Sequence, residues 1–125
     1  MIHLDTSVLV DALTGPRRSS GALRKTIERG ERLALSTLVL YEWRRGPRLP
    51  EELAAQEALL PNESVVAFGW QEASLAAELY RVIRRPRERE IDLAIAACAL
   101  VHGAPFWTLN PHDFRDIPGL TIVSD

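Results

Sequence analysis

Apolar positions along the chain alternate between short continuous runs and helical spacing. Ile2-His3-Leu4 is a short apolar-leaning run ending at Asp5-Thr6-Ser7, after which Val8-Leu9-Val10 and Ala12-Leu13 continue at helical spacing. Gly15-Pro16 stops that helix, and a second amphipathic one runs from Ser19 or Ser20 through Leu23 and Ile27 to Gly30. Leu33-Ala34-Leu35 reads as a strand, and Ser36-Thr37 caps a helix carrying Leu38, Val39, Tyr41, Glu42 and Trp43 that ends at Gly46-Pro47. Pro50-Glu51-Glu52 opens the next helix, with acids near its positive end, and Pro61-Asn62 breaks it. Val65 to Phe68 reads as a strand and Trp70 to Ile83 as a helix. A basic loop from Arg84 to Arg89 follows. Ile91 to Val101 is apolar on nearly every side, which predicts a helix buried all round with Asp92 as its one charged interior position. Phe106-Trp107-Thr108 and Leu120 to Val123 complete the pattern as short strands.

Strands alternating with helices over the whole length predict an α/β fold: a central, mostly parallel sheet in a three-layer α/β/α sandwich. At 125 residues the chain is expected to form one domain, residues 1–125. In open α/β sheets the ligand site lies beyond the carboxyl ends of the strands, which directs attention to the residues there.

Composition narrows the function classes. Hydrophobic residues at 46% and charged residues at 26% exclude the signature of disorder. No run of about 18 apolar residues occurs and the N-terminus lacks a basic, then apolar, leader, so no membrane association is expected and the chain reads as cytoplasmic. Cys98 is a lone cysteine in an apolar setting, the place of a small buried hydrophobe. A net charge of −2 argues against a wholly basic binding surface. Locally, however, arginines cluster at Arg44 and Arg45 and from Arg81 to Arg89, with Arg85 and Arg87 among the candidates for phosphate contacts.

Asp5 follows the first strand, Glu42 lies on the helix after the second, Asp92 starts the buried helix, and Asn110 and Asp113 follow a late strand. Singly, each acid has a structural explanation: Asp5 and Asp92 as helix caps or first-turn acids, Glu42 as a partner of Arg44 or Arg45. Together at one sheet edge they would repel unless a cation neutralised them. Oxygen ligands without histidine or cysteine point to Mg²⁺ or Mn²⁺ rather than zinc. Such an ion suits phosphodiester cleavage, and Thr6 and Ser7 are placed to orient a carboxylate or touch a phosphate.

These stretches carry a resemblance. Leu4 to Asp11, Leu35 to Glu42 with Gly46, Asp92 to Ala97 and Thr108 to Phe114 together resemble a PIN-domain nuclease, and within that group a VapC-type toxin of a type II toxin–antitoxin pair. The resemblance spans essentially the whole chain. It implies a Mg²⁺- or Mn²⁺-dependent endoribonuclease with Asp5 and Asp92 as principal metal ligands, Glu42 as a further ligand, and Thr6 or Ser7 as a supporting hydroxyl. The fourth position departs from the family, where an acid often stands: here it is the amide Asn110, and the nearest carboxylate is Asp113. Asn110 hydrogen-bonds without adding charge. The resemblance further implies an RNA substrate, tRNA among the candidates, a homodimer, and a VapB-like antitoxin whose C-terminal segment fills the acidic groove.

Two alternatives come from other classes. A haloacid-dehalogenase-like phosphatase needs a second aspartate two residues after Asp5, where Ser7 stands. A catalytically inactive PIN-like module for RNA or protein binding is opposed by the retention of Asp5, Glu42 and Asp92. Of the histidines, only His112 falls near the acids. Trp43, Trp70 and Trp107 are expected in core or interface packing.

Overall fold

The computed structural model describes residues 1–123. Five parallel strands form one sheet in the order β3-β2-β1-β4-β5: β1 (Ile2–Leu4), β2 (Leu33–Ser36), β3 (Val65–Val66), β4 (Phe106–Trp107) and β5 (Ile122–Val123). Helices flank the sheet in an α/β/α arrangement: α1 (Thr6–Leu13), α2 (Ser20–Glu28), α3 (Thr37–Arg45), α4 (Pro50–Leu59), α5 (Trp70–Val82) and α6 (Glu90–Val101). The chain winds outward from β1 to β2 and β3, then returns to lay β4 and β5 on the other side. The switch point therefore falls between β1 and β4, where the connections diverge and leave a crevice at the carboxyl ends of both strands.

Local chemistry sets the element boundaries. Ser36 Oγ accepts from the Val39 amide and caps α3. Glu52 and Glu72 reach back to the Leu49 and Gly69 amides, at 2.8 and 3.0 Å, to start α4 and α5. In α6 every residue from Leu93 to Ala99 is buried. Sinking side chains such as Leu93 and Ile95 contributes about 1.5–3 kcal/mol each, which secures a helix that carries an acid in its first turn. Among the described residues no helix is long and apolar enough to cross a membrane.

The structure shortens three predicted strands, ending β4 at Trp107 rather than Thr108. Pairing stops at Val66 because side chains claim the next backbone donors: Phe68 N–H donates to Thr37 Oγ1 at 3.2 Å, and Gly69 N–H to Glu72. β5 starts at Ile122 rather than Leu120, whose amide closes a turn onto the Ile117 carbonyl. Trp43 and Trp107 are in the core, as expected, but Trp70 is not: it is 78% exposed at the first position of α5.

Candidate active site

Asp5 occupies the N-cap position of α1, yet its side chain caps nothing. Its Oδ2 instead accepts two hydroxyls, Ser7 Oγ at 2.8 Å and Thr108 Oγ1 at 2.7 Å. The same hydroxyls accept backbone amides in turn: Leu109 N–H donates to Ser7 and Asn110 N–H to Thr108, each at 3.0 Å. Asp5 is thus fixed by a closed network at the switch point, itself only 6% exposed. The capping explanation for Asp5 does not hold.

Glu42 projects from α3 toward α1, where Thr6 Oγ1 donates to its Oε1 at 2.6 Å. The ion pair weighed for it exists only as a long contact, Arg45 Nη2 to Oε2 at 3.9 Å, and Arg44 pairs with Glu57 instead. Asp92, in the first turn of α6, takes part in none of the ion pairs formed among the described residues.

Electrostatics shows that these acids face one another. Burial, and after it the charges of Asp5, Glu42 and Asp113, push the Asp92 carboxyl up to about 6, with Arg89 opposing. Asp5 is also raised, chiefly by burial; its hydroxyl donors pull it back and Glu42 adds to the rise. The charges of Asp5, Glu42 and Asp113 therefore all reach Asp92. Asp113 is the outermost, exposed on the 3₁₀ turn Pro111–Asp113.

The donor set fits a hard divalent cation. It offers carboxylate and hydroxyl oxygens only, with Asp92 held half-buried among the charges of Asp5, Glu42 and Asp113. Among the described residues no three histidine, cysteine, aspartate or glutamate side chains are already gathered tightly enough to grip an ion.

Two further groups shape the site, and sequence reasoning missed both. Thr108 was read as the end of a strand and the start of a stretch resembling the family, with no role of its own; the signal was its position, directly after β4 as Asp5 is directly after β1. Arg89 was grouped with the solvent-facing basic loop. It instead forms a fork with Asp116, at 2.7 Å to each oxygen, and donates to the Asp113 carbonyl at 2.9 Å. Because Arg89 directly precedes α6, it ties the turn carrying Asn110 and Asp113 to the helix carrying Asp92. Arg85 and Arg87 remain exposed in the loop. Asn110 is exposed, its backbone held and its amide facing no protein partner among the described residues.

Known proteins share this architecture. The chain is 34% identical to Ribonuclease VapC19 of Mycobacterium tuberculosis (strain ATCC 25618 / H37Rv) over 124 residues, covering 94% of each chain. A chain of the VapBC2 complex from Rickettsia felis, solved bound to a DNA fragment from their promoter, superposes with a TM-score of 0.76 at 21% identity, covering 100% of this chain and 99% of that one. A chain of the DNA-bound VapBC complex from Salmonella typhimurium gives 0.74 at 25% identity, with 98% and 96% covered. The PIN domain family model matches residues 2–120, from β1 through the turn bearing Asp113. A sheet that switches direction at an acid-lined crevice, matched over nearly its full length, makes this chain a member of the PIN domain family.

Proposed function

We propose that the chain is an endoribonuclease that hydrolyses RNA phosphodiester bonds with Mg²⁺ or Mn²⁺, acting in the cytoplasm as the toxin of a VapBC-type pair. The observation that carries this reading is the charge of Asp5, Glu42 and Asp113 acting on a half-buried Asp92, beside an Asp5 that Ser7 and Thr108 hold in place. The family and the Ribonuclease VapC19 relative support it.

In this reading Asp5, Asp92 and Glu42 hold the ion, and Asp113 completes the acidic rim. A bound divalent cation lowers the pKa of a water and neutralises charge developing on the phosphate. The chain's own groups do the remaining work. Ser7 and Thr108 fix the rotamer of Asp5, and Thr6 fixes that of Glu42, so the carboxylates are oriented before any ligand arrives. Arg89 sets the distance between the α6 acid and the outer turn. Arg44, Arg45, Arg85 and Arg87, all exposed, contact flanking phosphates in this reading.

The solved neighbours are toxin–antitoxin complexes, which supports a VapB-like antitoxin as partner. The apolar segment from Leu38 to Trp43 is mostly core, since Val39 and Trp43 are fully buried; a homodimer face there rests on Tyr41, which is 64% exposed. The test is incubation of the purified protein with tRNA and a panel of structured RNAs in Mg²⁺, Mn²⁺ or EDTA. Cleavage with either ion and none in EDTA is expected; cleavage that persists in EDTA would refute the metal-dependent reading.

A further inference from the structure

Beside the acidic crevice lies a second recess that the catalytic reading leaves unused. It is an open groove of about 530 Å³ whose walls include Val10, Thr14, Pro16, Arg18, Leu109 and Asn110. Thr6 and Ser7 line it as well, so it is continuous with the crevice. Its walls are mostly apolar, with polar groups at few points.

Both walls are rigid. On one side, Leu109 and Asn110 hang from the same hydroxyls that hold Asp5. On the other, the connection from α1 to α2 is folded back by Arg17 N–H to the Thr14 carbonyl and Ser20 N–H to the Arg17 carbonyl, both at 3.1 Å. Ser19 Oγ also donates to the Asp11 carboxylate at 2.5 Å, so the one acid on this wall is already engaged by a hydroxyl. Arg18 is exposed and joins no ion pair among the described residues. The groove thus presents an apolar wall for a ring face, a free amide at one edge and an unpaired guanidinium at the rim.

We propose that this groove is a nucleotide subsite, seating the base next to the scissile phosphate of a single-stranded RNA; it rests on the ribonuclease reading above. Leu109 and Val10 receive the base face, Asn110 reads its edge, and Arg18 holds the following phosphate. A carboxamide offers one donor and one acceptor side by side, which matches a base presenting the complementary pair, adenine first among them. Unpaired strands are the form of RNA in which such an edge is free to be read. Ordering Leu109 and Asn110 through the hydroxyls on Asp5 gives the subsite a fixed distance to the reacting phosphate, so base choice and cleavage position are coupled.

The test uses labelled single-stranded pentaribonucleotides with A, C, G or U at the central position. Their binding to the wild-type protein, Asn110→Ala, Leu109→Ala and Arg18→Ala is measured by fluorescence anisotropy in EDTA, and cleavage sites are mapped on a randomised RNA in Mn²⁺. The wild type should favour one base by about tenfold, and Asn110→Ala should abolish that preference. Arg18→Ala should weaken all four oligonucleotides alike by several-fold, roughly the effect of losing one phosphate contact. Binding and site choice unchanged in all three variants would overturn the proposal and leave the groove to a protein segment. Loss of cleavage in Asn110→Ala with its binding preference intact would also overturn it, assigning Asn110 to the metal site. Base-selective binding without cleavage in any metal would instead refute the ribonuclease reading and leave the subsite standing.

Discussion

The Thr108 hydroxyl donates to Asp5 Oδ2 at 2.7 Å, joining the ends of two neighbouring strands across 103 positions of sequence. It is the bond that turns a strand-end aspartate into an oriented one, and Thr108 is fully buried where it does so. Thr108→Val keeps the shape but removes both this bond and the acceptor for the Asn110 amide. RNA cleavage should fall by about 10- to 100-fold, the usual cost of removing a group that orients a ligand carboxylate. Stability should drop by about 1–3 kcal/mol from the buried groups left unpaired. Because this donor lowers the Asp5 pKa, the acid limb of the cleavage profile should move to higher pH. Thr108→Ser should restore most of all three, as single-turnover kinetics and urea denaturation will show.

Asp92 opposes folding when ionised. Its carboxyl titrates at about 6 in the folded chain against an ordinary 3.8, so the native state holds its proton more tightly than the unfolded state does. The associated stability is therefore complete below pH 3.8 and is lost as pH rises toward 6. Asp92→Asn should abolish cleavage yet raise stability in EDTA at pH 7.5 by about 1–2 kcal/mol, a figure reduced for the solvent that reaches this half-buried group. Urea melts across pH measure it, and an unchanged or lowered stability would count against the crowded-acid account.

His3 imposes the opposite slope. The ring is buried in β1 with Nε2 unpartnered, 5.2 Å from the His102 ring, and burial, with His102 and the N-terminus adding to it, lowers its pKa to about 4. The folded state resists protonation that the unfolded chain accepts. Stability from this group is present above pH 6.5 and is lost as pH falls toward 4. His3→Leu should flatten the acid side of the stability profile without changing cleavage at pH 7.5. Thermal melts between pH 4 and 7 are the check.

The Arg89 fork onto Asp116 fixes the outer turn relative to α6. Asp116→Asn should cost only about 1 kcal/mol of stability, since the carboxylate is half exposed. Its larger effect should be on metal: a several-fold weaker Mn²⁺ affinity by calorimetry, through looser placement of Asp113. Equal Mn²⁺ affinity would assign Arg89 a purely structural role.

Which of these features the sequence disclosed follows from how far each is encoded locally. Asp5 and Asp92 were legible because one sits directly beyond a strand and the other at the start of a buried helix, and Glu42 because it lies on the helix capped just after the second strand. The α/β/α layering was legible for the same reason: periodicity and caps are local signals. Thr108 was not, since its partner lies 103 residues away and a threonine after a strand has many ordinary uses. Arg89 was read only as part of the basic loop, since its partner Asp116 lies 27 positions away. Trp70 shows the converse: of the core or interface packing expected for it, the core is excluded, because the first position of α5 faces outward.

The central claim is that Asp5 and Asp92 hold a divalent cation that cleaves RNA. Its most direct measurement is a Mn²⁺ titration of single-turnover RNA cleavage by the wild-type protein, Asp5→Ala and Asp92→Ala, each confirmed folded by circular dichroism. The account predicts saturable, Mn²⁺-dependent cleavage in the wild type and none in either variant at any Mn²⁺ concentration. Cleavage by both variants at the wild-type rate would contradict it.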